Sequence, residues 1–333
     1  MLSEVLRLPA GEIQRAVATL KAGGLVAFPT ETVYGLGADA SNPHAVLRIF
    51  AAKGRPADHP LIVHLTSVEA LPRWARQVAP PAYTLAERFW PGPLTLILKR
   101  AAGVIDEVTG GQDTVGLRVP SHPMAQALLQ AFGGGIAAPS ANRFGRISPT
   151  TAQHVRDELG VRVDLILDGG PCDVGIESTI VDLSSGAPVL LRPGRISPEE
   201  IETLLGMAVR RGGAGAPRAS GTLAAHYAPR LPLLLVSAED FDEVVSEQGR
   251  LRSVAVLAHH PKPAPAPVTH WQLAPTDPLA YAHDLYAALR TLDESGCDLI
   301  LVEAPPETAA WAAVRDRLQR AAAGSTAPSE DAT

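Results

Sequence analysis

Cysteine is almost missing from this chain. Cys172 and Cys297 are the whole supply, with no CxxC pair and one residue in each expected domain, so neither a disulfide framework nor a thiolate zinc site is expected. Long apolar runs are missing too. None approaches the roughly 20 residues that a membrane span needs, and the opening MLSEVLRLPAGEIQ carries acids and no long apolar stretch, so neither a span nor a secretory leader is expected and the expected location is the cytoplasm. The glycine loops that cradle phosphates are absent: neither GxxxxGK[ST] nor GxGxxG occurs, so a bound nucleotide would have to be held by side chains. A nucleophile elbow is excluded around Ser140, because its flanking positions hold Ala138 and Asn142 where that motif needs glycines. Aromatic residues make up 5% with no aromatic-rich RNA-binding pattern, and the net charge of −6 argues against a surface dedicated to polyanions, although a local basic cleft survives such an average.

What is present is core material and punctuation. At 333 residues, 46% of them hydrophobic, the chain has the length of two domains with cores of their own. Apolar periodicity predicts helices over 11–22, 43–50, 67–78, 122–132, 151–159 and 198–205. Short apolar runs predict strands over 25–28, 61–65, 94–99, 114–119, 135–138, 164–168, 178–183 and 188–191. The expected fold class is α/β, a mixed sheet with helices over residues 1–205. From 206 to 230 the periodicity stops and the segment holds four arginines and no acid, which reads as a basic linker. LPLLLV, SVAVLA and DLILVEA, with helical stretches near 239–249, 278–293 and 308–322, read as a smaller parallel α/β domain over 231–322. The tail 323–333 is expected to be disordered.

Polar residues in apolar settings mark candidate chemistry. PTETVYGLG at 29–37 places three hydroxyls and a carboxylate after a buried strand, where open α/β sheets put ligands, although turns use the same residues. Lys53 and Arg55 flank Gly54 behind an apolar helix. A lysine point charge beside an arginine fork suits a triphosphate, and equally a solvated helix end. PSANRFGRISPT brings Ser140, Asn142 and Ser148, neutral partners for phosphate or sugar oxygens. Arg118 in TVGLRVP, His64 in LIVHL, Ser178 in ESTIVD and Arg192 in LLRPG lie on apolar strands. A charge there is costly unless paired, so Arg118 must face an acid or an anionic ligand. For His64, a satisfied core histidine is the competing reading.

Together these segments resemble the threonylcarbamoyl-AMP synthase family in its long form, a YrdC-like twisted mixed open sheet followed by a linker and a smaller Rossmann-like parallel α/β domain. The pattern Lys-x-Arg then Ser-x-Asn is matched by Lys53, Arg55, Ser140 and Asn142. PTETVYGLG, GLRVP, SPT, ESTIVD and RPG fall in the same order. One match is weak evidence, but seven in order across about 170 residues are specific. The resemblance implies a nucleotidyltransferase that makes threonylcarbamoyl-AMP from L-threonine, bicarbonate and ATP, with Mg2+ carried by the ATP phosphates and no metal site of its own. It implies catalytic roles for Lys53, Arg55, Ser140 and Asn142, which with Ser148 and Arg192 would hold ATP, Thr114 and His59 lying near the nucleotide. Arg118 would take the threonine carboxylate, with Thr32, Tyr34, His64 and Ser178 around the rest of the amino acid. SGTLAAHYAP would fold His226 and Tyr227 back across the nucleotide. This chain departs from the family at Ser220, Thr222 and Ala225 and carries His59 where asparagine is usual. The implied partner is a separate tRNA threonylcarbamoyl transferase complex, with a weak tRNA contact at the basic linker. Two alternatives compete: a nucleic-acid-binding module, and an enzyme making a different carbamoyl adenylate.

Overall fold

The computed structural model describes residues 10–213, 215–261 and 268–325. Two sheets organise them. The first unit contains α1 (Ala10–Lys21), β1 (Val26–Phe28), β2 (Gly35–Asp39), α2 (Pro43–Lys53), β3 (Ile62–His64), α3 (Leu71–Trp74), α4 (Pro80–Phe89), β4 (Leu94–Lys99) and α5 (Asp106–Thr109). It continues with β5 (Thr114–Arg118), α6 (Pro123–Phe132), β6 (Ile136–Ala137), α7 (Ala152–Leu159), β7 (Leu165–Ile166), β8 (Thr179–Asp182), β9 (Val189–Arg192), α8 (Pro198–Leu205) and β10 (Arg210–Arg211). Its ten strands run β10-β9-β8-β4-β5-β3-β6-β2-β1-β7 with parallel and antiparallel neighbours mixed. The second unit follows: β11 (Leu233–Val236), α9 (Phe241–Leu251), β12 (Val254–Ala258), β13 (His270–Leu273), α10 (Pro278–Asp293), β14 (Leu299–Glu303) and α11 (Ala312–Ser325). Its order is β11-β14-β12-β13, all parallel. Helices cover both faces of that sheet, α10 and α11 on one and α9 on the other, which is why its strands read as unbroken apolar runs.

Local chemistry explains how the site is carried. Asn42 caps α2 by accepting from the His44 and Ala45 amides, Pro43 opens the helix, and Gly54 at φ +63° closes it. Val46, Ile49, Phe50 and Lys53 are buried on it, an i, i+3, i+4, i+7 stripe whose last member is a cation. Helical phase therefore drives Lys53 into the interior.

Several readings from sequence are corrected. The segment 29–37, read as a loop, ends in a strand, since β2 begins at Gly35. Its glycine-rich GLGAD carries no alternation, because β1 and β6 flank it on both sides and a Cβ at Gly37 would lie 2.7 Å from the Phe28 ring and 2.8 Å from Ile136. The stretch 67–78 is a short 3-10 turn and a single turn of helix, interrupted when Ala75 becomes extended. The helices α4 and α5 and strand β13 have no counterpart among the expected elements; α4 opens on Pro80 and Pro81, which belong at a helix start. The linker is not wholly irregular, since β10 pairs in parallel with β9. Residues 323–325 belong to α11, and the rest of the expected disordered tail, 326–333, lies outside the described residues. The apolar layer under α10 and α11 runs on into the first unit through Val33, Ile147, Ile176 and the linker's Tyr227.

Candidate active site

A cleft of about 600 Å³ opens where β3, β5 and β9 end against the PTET loop, the Ser140 turn and the linker. It gathers ten of the predicted residues: Thr32, Lys53, Arg55, His64, Arg118, Ser140, Asn142, Arg192, His226 and Tyr227. Lys53 is buried and its Nζ donates to the carbonyls of Ser140 and Asn142 at 2.6 and 2.5 Å. Burial, reinforced by the nearby Arg55, holds its pKa well below the ordinary lysine range. Arg55 donates to Pro60 O at 2.9 Å and Ser220 Oγ at 3.3 Å, and burial brings it down to about 10. Arg192 is pinned by Ser178 O at 3.0 Å, Ser178 Oγ at 3.1 Å and Ser220 O at 2.8 Å. These cations share one wall.

Another part of the lining is built on Arg118. Its guanidinium donates to Glu31 Oε1 at 2.7 Å, Thr32 Oγ1 at 2.9 Å and Gly92 O at 3.3 Å, and Glu31 also accepts from the Ser121 amide at 2.9 Å. The partner that a strand-borne charge demanded is thus an acid, and the remaining N–H groups of the guanidinium are left for a ligand. Thr30 fixes the loop by accepting from the Thr32 and Val33 amides. His64 sits edge-on to Phe28 with Nδ1 unpartnered, and burial followed by Arg118 lowers its pKa to about 3, so the ring is neutral. Unpartnered buried atoms concentrate here: Arg55 Nε, His64 Nδ1, Asn142 Oδ1 and His226 Nδ1 all belong to cleft residues. Buried polar groups are rarely left without partners, so a cluster of them marks a place where a ligand completes the bonding.

The other predicted residues lie off the cleft surface. Tyr34 is buried, its hydroxyl donating to Gly170 O at 2.8 Å. Ser178 shares a hydrogen bond with Thr95 at 2.8 Å behind Arg192. Ser148 is fully buried and donates to Glu177 Oε1 at 2.5 Å. Thr114 lines a neighbouring 260 Å³ pocket with Gln112 and Arg218. His59 stacks edge-on to Phe144, a cleft residue, at 5.4 Å.

Glu177 is a cleft residue that sequence reasoning missed. It lines the cleft yet is buried, accepting from Ser148, from Tyr286 Oη at 2.9 Å and from Arg317 Nε at 2.8 Å. Burial pushes its carboxyl up, but Arg317, Arg192 and the Ser148 hydroxyl outweigh it and bring the pKa down to about 2. The one sequence signal is an acid entering the apolar run ESTIVD; two of its three partners, Tyr286 and Arg317, lie more than a hundred residues away.

The linker covers the cleft. Ser220, Gly221, His226 and Tyr227 form part of its lining, and Arg218 ties the strap to Asp58 at 3.0 Å and Gly110 O at 2.8 Å. Arg230 pairs with Asp293 at 3.2 Å. Two of the four linker arginines expected to be unopposed are therefore engaged.

The family model for Sua5, YciO and YrdC proteins, described as "Telomere recombination", matches residues 18–194, and the model of the threonylcarbamoyl-AMP synthase C-terminal domain matches 196–323. The chain belongs to the threonylcarbamoyl-AMP synthase family. The threonylcarbamoyl-AMP synthase of Pyrococcus abyssi is 41% identical over 95% of both chains. That of Bacillus subtilis is 42% identical over 94% of this chain and 93% of its own. A crystal structure of the Pyrococcus abyssi protein Sua5 complexed with L-threonine superposes with TM-score 0.86 at 39% identity, covering 94% of each chain. The threonylcarbamoyl-AMP synthase resemblance therefore extends through both sheets and the strap between them. Among the described residues no group of three or more His, Cys, Asp or Glu is placed to hold a metal ion, and no helix is long and apolar enough to cross a membrane.

Proposed function

We propose that this chain joins L-threonine, bicarbonate and ATP into threonylcarbamoyl-AMP with release of pyrophosphate. The observation that carries the reading is the convergence of Lys53, Arg55 and Arg192 in one partly closed cleft whose lining acid, Glu177, is already committed to three donors. Uncompensated buried cations call for an anionic ligand, and a triphosphate brings the matching charge. Lys53 and Arg55 hold its phosphates, with Arg192 alongside and Asn142 and Ser140 contributing neutral contacts. Asn142 Oδ1 then has a role as an acceptor. Threonine, the ligand of the Pyrococcus abyssi relative, takes the corner beside Arg118, its carboxylate meeting the free N–H groups and its hydroxyl and methyl facing Thr32, His64 and Ile62.

The chemistry needs no nucleophilic side chain. The threonine amine captures bicarbonate-derived carbon dioxide, the carbamate oxygen attacks the α-phosphorus, and pyrophosphate leaves. The side chains align the two ends and neutralise developing charge. Mg2+ would arrive on the triphosphate and supply further charge neutralisation there. The product serves threonylcarbamoyladenosine formation in tRNA through a separate transferase complex in the cytoplasm.

The test is pyrophosphate release from ATP, Mg2+ and bicarbonate with threonine present, absent or replaced by serine. Release that requires threonine and bicarbonate and falls at least a hundredfold in Lys53→Ala, on the order of losing a key charge-stabilising group, supports the reading. Release indifferent to threonine sinks it.

A further inference from the structure

Buried polar atoms without partners mark the cleft, and they mark one other place. Outside the cleft, three of the four remaining such atoms among the described residues are His259 Nε2, Gln272 Oε1 and Tyr281 Oη. His259 follows β12, Gln272 lies near the end of β13 and Tyr281 is in the first turn of α10. The chain runs outward from β11 through β12 to β13 and returns to set β14 between β11 and β12. Ligands of parallel sheets settle outside the carboxyl ends of the strands, near such a reversal.

A slot of about 230 Å³ lies there, between β13 and α10. Its apolar wall is Leu257, Leu285 and Ala288, Gln272 and Tyr281 supply polar atoms, and Asp284 stands on the rim. Tyr281 is 1% exposed, and its ring packs against His259 at 5.3 Å and Trp311 at 5.5 Å. Packing therefore fixes where the hydroxyl points, and a buried hydroxyl left unbonded is costly.

Electrostatics set this slot apart from the cleft. Among the described residues that line it there is no lysine or arginine. The charge that reaches the Tyr281 hydroxyl is the Glu303 carboxylate at the end of β14, which accepts from the His259 amide at 2.7 Å. Burial keeps His259 neutral at pH 7 although Glu303 opposes it. His260 lies 3.2 Å from both Glu303 and Asp242, so acids outnumber it. Asp284 adds a carboxylate at the mouth, one oxygen bonded to His283 Nδ1 at 2.6 Å. Free acceptors in a negative field beside an aliphatic wall select a cation that brings its own donors and an apolar body. An anion finds no opposing charge, and the small volume limits the body to a few carbons.

We propose that the second unit holds a binding site for a small alkylammonium ion, which donates to Gln272 Oε1 and Tyr281 Oη beside Asp284 and lays its carbon chain on Leu257, Leu285 and Ala288. The site shares no residue with the cleft and stands independently of the reaction proposed there.

The probe is n-butylamine at pH 7, titrated into the full chain without nucleotide and followed by saturation-transfer NMR, with n-butanol and butyrate as neutral and anionic controls. Butylammonium should saturate, butanol should bind about tenfold more weakly, the scale of one hydrogen bond to a charged group, and butyrate should not bind. Tyr281→Phe removes only the unpartnered hydroxyl. It should weaken butylammonium about tenfold while thermal stability holds or rises, whereas a tyrosine bonded within the protein would lose stability. Asp284→Asn alters an exposed rim and should weaken binding about threefold, as for a partly exposed ion pair; it decides the matter if Tyr281→Phe does not fold. Butanol binding as tightly as butylammonium, no saturable binding of butylammonium, or a folded Tyr281→Phe that binds it unchanged or is less stable overturns the proposal. So does unchanged affinity in Asp284→Asn.

Discussion

Replacing Glu177 by Gln keeps the size of the side chain and removes the charge that ties the two units together. In the folded protein the carboxyl has dropped from 4.5 to about 2, a difference equivalent to roughly 3 kcal/mol at pH 7. An independent route gives the same scale, since removing one partner of a buried ion pair costs about 3–5 kcal/mol. The sign follows from the depressed folded pKa: the stabilisation is complete above the unfolded value of 4.5 and fades as pH falls toward 2. At pH 3 about 1.4 kcal/mol of it remains by the same linkage. Urea unfolding of wild type and Glu177→Gln at pH 7 and pH 3, followed by fluorescence, should therefore give a gap of about 3 kcal/mol that shrinks by more than half at the lower pH. A gap that ignores pH would show that the carboxylate charge is not what Arg317 and Tyr286 hold. Equal stability at pH 7 would remove Glu177 as the tie altogether.

Two further outcomes follow from the same geometry. His64 is held neutral at about 3 against an ordinary 6.5, so lowering the pH protonates the unfolded chain first and costs the native state about 2 kcal/mol between pH 7.5 and pH 5. His64→Gln should remove that share of the slope in urea titrations, leaving the shares of His226 and His154, which burial also lowers, to about 3 and about 4; an unchanged slope would show that His64 carries none of the acid sensitivity. Gly221, at φ +74°, admits no side chain, because a Cβ would come within 2.0 Å of Tyr227 Oη and 2.9 Å of Arg192 Nη1. Gly221→Ala should raise the KM for ATP by about tenfold or more and lower stability by about 1 kcal/mol or more through its positive φ and the contact with Tyr227, and an unaltered KM would detach the strap from nucleotide binding.

Sequence makes legible whatever the chain states locally. The continuous apolar runs of β11, β12 and β14 announce a sheet covered on both faces, and the capped stripe of α2 announces a helix. β2 is invisible because GLGAD is selected by backbone approach to Phe28 and Ile136 rather than by side-chain alternation. β13 is hidden although it pairs along β12, since HWQL carries polar residues at a sheet edge. Motif order ranks Lys53, Arg55, Ser140 and Asn142 as a set, but the burial that gives Lys53 its perturbed amine comes from helical phase plus carbonyls 87 and 89 residues away.

Arg118 and Glu177 show where the limit lies. A charge on an apolar strand must have a partner, and that rule names Arg118 as a residue of consequence without choosing between acid and ligand. The structure supplies an acid, Glu31, 87 residues upstream, and leaves part of the guanidinium directed into the cleft, so the two readings are complementary. Glu177 obeys the same rule without drawing notice, because a single acid at the start of a strand looks like a solvated end. Only the fold shows that its neighbours are Arg317 and Tyr286, brought from helices of a different sheet. A buried charge thus reveals from sequence that something must answer it. The identity of what answers, whether substrate or another part of the same chain, is decided by topology. Where both do, as at Arg118, the residue joins scaffold and site.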